Sequence, residues 1–184
     1  WNFSKYFAKQ SDYTFDDSSN AFLHQDSSKV ILLDTGEDTL TGGRLKILLE
    51  NYDLENFYLT YGDGISNVDI DELTKFHYEN NKLVTVTAVS PPPRFGDLEI
   101  EGNLVTEMRE KNESRPTWIN GGYFVVSGKI IEFLNKDEPF EQTPLRTIAK
   151  KNELSAYKHR GYWQCVDTIR ELEILEKDLD SKKI

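Results

Sequence analysis

The 184-residue chain has room for one domain and is long enough to bury a core without staples. Its single cysteine, Cys165, excludes an internal disulfide framework and any Cys-rich zinc or iron–sulfur site. Thirty-two acidic residues against 22 basic ones leave a net charge of −10, the wrong sign for a general nucleic-acid or anionic-membrane surface. No apolar run approaches the roughly 18 to 20 residues that span a bilayer, and the first residues carry no secretory pattern. The expectation is a cytoplasmic globular protein.

Residues 1–28 are polar and aromatic, with Asp16-Asp17-Ser18-Ser19-Asn20 reading as a loop. Val30-Ile31-Leu32-Leu33 reads as a short buried strand, followed by the turn-rich Asp34-Thr35-Gly36-Glu37-Asp38. Leu45, Leu48 and Leu49 have helical spacing between Arg44 and Asn51. Phe57–Tyr61 is a strand that stops at Gly62-Asp63-Gly64, and Asp69 with Glu72 three residues on marks the start of a helix to about Asn80. Leu83–Val89 is β-branched and stops at Pro91-Pro92-Pro93. Alternation in Phe95–Ile100 and Leu104–Met108 around Glu101-Gly102-Asn103 predicts a hairpin. A strand follows within Ile119–Val126, Ser127 caps a short helix through Leu134, and another helix covers Glu141 to Lys151. Tyr157–Gln164 mixes strand and loop. Ile169, Leu172, Leu175 and Leu179 line one face of a final helix. Alternating strands and helices predict an α/β fold with a mixed, mostly parallel sheet, in one domain spanning residues 1–184.

Asp63 sits between two glycines at a strand end, where open α/β sheets bind their ligands and where a missing Cβ lets a ligand approach closely. The same residues also make an ordinary tight turn. Thr39-Leu40-Thr41-Gly42-Gly43-Arg44 leads into a helix, so its backbone N–H groups suit a phosphate or base edge, and Arg44 adds a planar fork of donors. It lacks the pattern of a Walker A loop. Glu110-Lys111 follows the hairpin, and such neighbours commonly form a solvated pair. Asp167-Thr168 opens the last helix, where Asp serves as an N-cap more often than as a metal ligand. His24, His77 and His159 are scattered without metal-ligand spacing, and Cys165 reads as a packing residue. These features point to a phosphorylated ligand with Mg²⁺.

In order, Leu33-Asp34-Thr35-Gly36, Thr41-Gly42-Gly43-Arg44-Leu45-Lys46, Thr60-Tyr61-Gly62-Asp63-Gly64 and Arg94-Phe95-Gly96 resemble the glucose-1-phosphate cytidylyltransferase family. Glu110-Lys111, Ile119-Asn120-Gly121-Gly122-Tyr123-Phe124 and Trp163-Gln164 with Asp167-Thr168 continue the resemblance. It implies a Rossmann-like nucleotidyltransferase fold and the reaction of CTP with α-D-glucose 1-phosphate to CDP-glucose and pyrophosphate, a supply for surface-polysaccharide biosynthesis. It further implies that Asp63 and Asp167 hold one Mg²⁺, that Thr39, Arg44 and Gly62 contact the nucleotide, and that Lys111 pairs with the sugar phosphate. Glu110, Asn120 and Gly121 would face the sugar hydroxyls, and the family commonly forms homo-oligomers. Asp63, Asp167 and Lys111 are thus the expected catalytic residues.

The family's N-terminal strand and glycine loop are missing. Asn112 stands where the family has Pro, and Cys165-Val166 where Pro-Met is usual. With Trp1 first, the chain is expected to be the C-terminal two-thirds of such an enzyme and inactive alone. Two other readings remain open: a UTP- or dTTP-using sugar-1-phosphate transferase, or a non-catalytic sugar-nucleotide-binding or assembly module.

Overall fold

The computed structural model describes residues 9–16, 21–91, 95–110 and 117–181. The elements run β1 (Tyr13–Asp16), β2 (Ala21–His24), β3 (Lys29–Ile31), α1 (Thr41–Asn51), β4 (Asn56–Thr60), β5 (Gly64–Ser66), α2 (Ile70–Asn80) and β6 (Val84–Val89). They continue with β7 (Asp97–Glu101), β8 (Leu104–Arg109), β9 (Ile119–Ser127), a 3₁₀ turn (Gly128–Phe133), α3 (Thr143–Lys150), β10 (Leu154–Lys158), β11 (Trp163–Cys165) and α4 (Ile169–Asp180). No helix among the described residues is long and apolar enough to cross a membrane.

The central sheet has the order β10-β6-β9-β4. β10 is parallel to β6, whereas β9 is antiparallel to both its neighbours, β6 and β4. Three strands therefore share one direction and β9 alone runs against them, so the sheet is mixed as expected, with one parallel and two antiparallel pairings. This topology decides where the chemistry lies. The C-terminal ends of β4, β6 and β10 and the first residues of β9 all reach the same rim. The segments Tyr61–Asp63, Ser90–Pro91, His159–Arg160 and Ile119–Gly121 thus meet at one edge of the sheet, although as many as 99 residues (160 − 61) separate them.

The core under the sheet is Leu45, Val84, Phe124, Val126, Ile130, Leu134, Phe140 and Ile148. Leu45 comes from the periodic face of α1, and Val84, Phe124 and Val126 from inward positions of the β-branched strands. Asp69 caps α2 by accepting from the Glu72 N–H at 2.9 Å, as the sequence predicts. His77 is a core residue rather than a ligand: its Nδ1 lies 2.8 Å from Thr85 Oγ1, which in turn lies 2.7 Å from Ser155 Oγ. Burial lowers its pKa, so this hydroxyl ladder ties α2 to β6 and β10 with a neutral ring.

One sequence expectation is corrected and two are refined. The buried strand expected at Val30–Leu33 is instead β3 of a small antiparallel sheet, β1-β2-β3, within residues 13–31. Val30 is only half-buried within it and Ile31 is exposed, because β3 pairs with β2 and not with the central sheet. Periodicity could not assign that partner. Second, the predicted helix after Ser127 is a 3₁₀ turn, with Ser127 capping it as expected. Third, the apolar face of α4 is exposed: Ile169, Leu172 and Leu179 retain 79%, 44% and 54% of their accessible surface, while Glu171 is buried. Glu171 is buried because it turns back to cap its own helix.

Gly42 in α1 has a packing reason to lack a side chain. Its N–H donates to the Glu138 carbonyl at 2.9 Å, and a Cβ would collide with that same oxygen. Gly42→Ala is expected to cost about 1–3 kcal/mol in urea unfolding, because the obstacle is backbone and cannot rotate away. Gly62 has nothing within 4 Å of a built Cβ, so Gly62→Ala should leave the urea midpoint nearly unchanged.

Candidate active site

The site grows from a bulge in β9. Val86 pairs with Phe124 but Ala88 pairs with Asn120, so β9 uses four residues where β6 uses two. Gly121, Gly122 and Tyr123 stand opposite Thr87 alone, a surplus of two residues, and the strand must swing away from the ladder there. Gly122 has φ +80°, and a Cβ on it would press on the Tyr61 ring at 2.8 Å. A Cβ on Gly121 would meet the Thr87 carbonyl at 2.9 Å. Only glycine fits these two positions.

The bulge anchors the ribbon that carries the carboxylates. β5 and β11 pair antiparallel, with Gly64 opposite Cys165, and the Val166 N–H donates to the Asp63 carbonyl at 2.9 Å. The Tyr123 hydroxyl donates to the Gly64 carbonyl at 2.9 Å, and Trp163 Nε1 donates to the Gly121 carbonyl at 2.8 Å. These bonds bring Asp63 and Asp167, 104 residues apart (167 − 63), to one point. Carboxylate oxygens of Asp63 and Asp167 and the Cys165 sulfur all lie within 4.8 Å of one another.

Asp167 is not the cap of α4. Thr168 is, in a reciprocal capping box: Glu171 N–H donates to Thr168 Oγ1 at 3.2 Å, and Glu171 Oε2 accepts from the Thr168 N–H at 3.0 Å. Glu171 Oε2 also accepts from the Asp167 N–H at 3.0 Å. The helix start is satisfied without the Asp167 carboxylate, which is left to face Asp63. Cys165 Sγ donates to Asp167 Oδ2 at 3.2 Å. Burial, this hydrogen bond and the nearby carboxylates push the thiol pKa up to about 11.

A second network joins the start of α1 to the bulge. Glu141 accepts the Tyr61 hydroxyl on Oε1 at 2.6 Å and the Thr41 hydroxyl on Oε2 at 3.0 Å. Asn120 Nδ2 donates to the Tyr61 oxygen at 3.0 Å, and Asn120 Oδ1 accepts from the Gly122 N–H at 2.9 Å. Burial first, then the bond to Glu141, raise the Tyr61 pKa, so the phenol keeps its proton and its place in the relay. Glu141 carried no role in the sequence reading and no local motif marks it, and Tyr61 entered only as part of the Thr60–Gly64 motif with no role of its own.

Arg44 is exposed at the start of α1, but its guanidinium is already engaged. It donates to the Thr35 hydroxyl, and through Nη2 to the Glu37 carbonyl at 3.0 Å. It thereby braces the loop from Asp34 to Thr39, in which the half-buried Thr39 hydroxyl donates to the Thr35 carbonyl. Gly62 lies beside Asp63 with open space over its α-carbon. Glu110 is exposed just beyond β8, whereas Lys111, Arg94 and Asp17–Asn20 lie outside the described residues. At the rim there is also a pocket of about 510 Å³ lined by Trp118, His159, Arg160 and Trp163, which sequence reasoning missed. Lys158 Nζ and the Arg160 guanidinium lie 5.4 and 5.5 Å from the centre of the Trp118 ring. Cation–π contact of this kind orients a cation without neutralising it.

No family model matches the chain. Two curated proteins are similar over nearly all of it. The glucose-1-phosphate cytidylyltransferases of Salmonella typhi and Salmonella typhimurium are each 41% identical over 180 residues, covering 95% of this chain and 70% of theirs. Among solved structures, HddC from Yersinia pseudotuberculosis superposes with a TM-score of 0.62 at 22% identity, over 83% of this chain and 68% of that one. That likeness supports the fold alone.

Proposed function

Because the chain belongs to the glucose-1-phosphate cytidylyltransferase family, we propose that it transfers a cytidylyl group from CTP to α-D-glucose 1-phosphate, giving CDP-glucose and pyrophosphate. The observation that carries the residue roles is the convergence of Asp63 and Asp167 within 4.8 Å at the strand-end rim. Two carboxylates on rigid, backbone-bonded segments suit a hard divalent ion that keeps phosphate oxygens and waters as its other ligands. Asp63 and Asp167 would hold Mg²⁺, which when bound offsets the charge of the triphosphate.

The chain's own groups then account for positioning. A phosphate oxygen of glucose 1-phosphate attacks the α-phosphorus of CTP in line, and the bond to the pyrophosphate oxygen breaks. Such a displacement needs alignment and charge neutralisation more than an acid–base pair. Gly62 leaves room for close approach beside Asp63, and Thr39 and the loop braced by Arg44 border the nucleotide. Asn120 and Gly121 present fixed polar groups at the bulge for the sugar, and by the family resemblance Glu110 would face its hydroxyls and Lys111 would pair with its phosphate. Arg160 in the Trp118 pocket, with Lys158 over the same ring, adds cations suited to a phosphate. Homo-oligomer formation belongs to the same reading, supported by the exposed apolar face of the β7–β8 hairpin, where Leu98, Ile100 and Met108 retain 52%, 60% and 66% of their surface.

The test is product formation in the intact enzyme with glucose 1-phosphate, Mg²⁺ and CTP, UTP or dTTP in competition, read by chromatography of the nucleotide sugars. CDP-glucose should dominate; UDP- or dTDP-glucose as the main product would move the assignment to another base. No nucleotide sugar at all would favour a binding module. Arg44→Lys should raise the KM for CTP about tenfold and leave that for glucose 1-phosphate nearly unchanged. The variant keeps the charge but cannot span Thr35 and Glu37, and one lost hydrogen bond to a charged group is worth about 1.5 kcal/mol.

A further inference from the structure

We infer that Glu141 is a positioning residue for the sugar substrate: through the Tyr61 hydroxyl it fixes the side-chain amide of Asn120 in the one orientation that glucose 1-phosphate meets at the rim. The inference deepens the transferase reading and rests on its placing of Asn120 beside the sugar. Glu141 stands just before α3, where a carboxylate commonly serves the helix start. Its side chain instead reaches two hydroxyls far off in the chain. Oε1 accepts from Tyr61, 80 residues away, at 2.6 Å, and Oε2 from Thr41, 100 residues away, at 3.0 Å. Both ends of this contact are rigid. Phe140, the residue before Glu141, lies in the core, and its N–H donates to Thr41 Oγ1 at 2.8 Å. Tyr61 is held by its own N–H on the Gly122 carbonyl at 3.2 Å and by the edge-on Phe124 ring.

The acceptor at the end of the relay sets the direction of every bond in it. A carboxylate only accepts, so the Tyr61 proton is committed to Glu141, and the phenol oxygen is left to accept from Asn120 Nδ2 at 3.0 Å. The other half of the amide is committed too, because Asn120 Oδ1 accepts from the Gly122 N–H at 2.9 Å. A flipped amide would set Nδ2 against the Gly122 N–H, and Oδ1 against a phenol oxygen with no proton to give. Each mismatch leaves polar groups unpaired, so the amide keeps one orientation. Asn120 is exposed, and one Nδ2 proton and one Oδ1 lone pair remain for a ligand hydroxyl. Polar groups fixed in this way discriminate between hydroxyl patterns, because a wrong ligand leaves them unpaired. Glu141→Met keeps the length of the side chain and removes both acceptors. The Tyr61 proton is then free to turn towards Asn120, and one of the two constraints on the amide is lost.

The experiment has two readouts, with circular dichroism verifying the fold of each variant. In the isotope-labelled full chain, the Asn120 side-chain amide signals should shift in Glu141→Met, and this shift should vanish when Glu141→Met is made on top of Tyr61→Phe. In the intact enzyme at saturating CTP, Glu141→Met and Tyr61→Phe should each raise the KM for glucose 1-phosphate about tenfold and change kcat less than about threefold, as loss of one positioning hydrogen bond would. The double variant should also stand near tenfold, because the effect of Glu141 passes through Tyr61, whereas independent residues would multiply to about a hundredfold. A multiplied KM, a wild-type KM in either single variant, or Asn120 signals indifferent to Glu141→Met overturns the proposal. Tyr61→Phe keeps the packed ring, so its KM decides alone should Glu141→Met not fold. The amide signals are read without substrate, so their failure leaves the transferase reading standing, and wild-type CDP-glucose formation tests that reading separately.

Discussion

Asp167→Asn in the intact enzyme is expected to slow CDP-glucose formation by about 10²- to 10³-fold, the loss typical of removing one group that stabilises charge developing in a transition state. The substitution keeps size and removes the formal charge that holds the ion on the triphosphate. Stability should barely change, because α4 is capped by Thr168 and Glu171 and not by the Asp167 carboxylate. Asp63→Asn should match it. The double variant should fall by less than the product of the two losses, since residues that act as one unit are not additive. Steady-state rates at varied Mg²⁺ together with thermal melts check all of this. A rate near wild type, or a melt that collapses with the rate, would return Asp167 to a structural role. The contrast with a cap is the useful part: loss of a true N-cap costs about 1 kcal/mol of stability and leaves the chemistry intact.

Phe124→Ala is expected to destabilise the fold by about 3–5 kcal/mol in urea or guanidinium unfolding, near the top of the range for single substitutions. Phe124 is buried at the centre of the core, with the Tyr61 ring edge-on at 5.8 Å and the Phe140 ring at 6.3 Å. Removing it opens a cavity directly behind the glycine bulge. Tyr61 and Phe140 flank that cavity, and both belong to the relay through Glu141 and Thr41: the Phe140 N–H donates to Thr41 Oγ1 at 2.8 Å. The variant should therefore lose order at the start of α1 as well as global stability, seen as faster amide exchange there. Phe124→Leu, which keeps most of the volume, should recover much of the loss.

Several elements were readable before any tertiary contact. The Asp69 cap, the apolar period of α1, the β-branched run of β6 and the turn at Glu101-Gly102-Asn103 are local signals whose physics acts within a few residues. α4 shows where such signals fail. Ile169, Leu172 and Leu179 do make a helical stripe, yet the stripe stays exposed, because periodicity states which residues share a face and not what covers that face. β3 failed for a related reason: a short apolar run is satisfied by pairing in a small outer sheet as well as in the central one.

The candidate site divides along the same line. By itself the sequence determined that a carboxylate stands between glycines at a strand end, that a glycine-led helix follows a turn-rich loop, and that this order of motifs resembles one enzyme family. These are statements about neighbours in the chain, where backbone freedom and side-chain chemistry are set within a few bonds. Tertiary structure alone decided that Asp63 and Asp167 meet, that Cys165 stands with them, and that Arg44 is bound to its own loop. It also decided that Glu141 links the start of α1 to Asn120. The meeting of the carboxylates and the link from Glu141 to Asn120 depend on the reversed strand β9 and its bulge, which bring together residues up to about a hundred positions apart, whereas Arg44 reaches back only to Thr35 and Glu37. No local propensity encodes that convergence, because it arises from closing a sheet around a shared core.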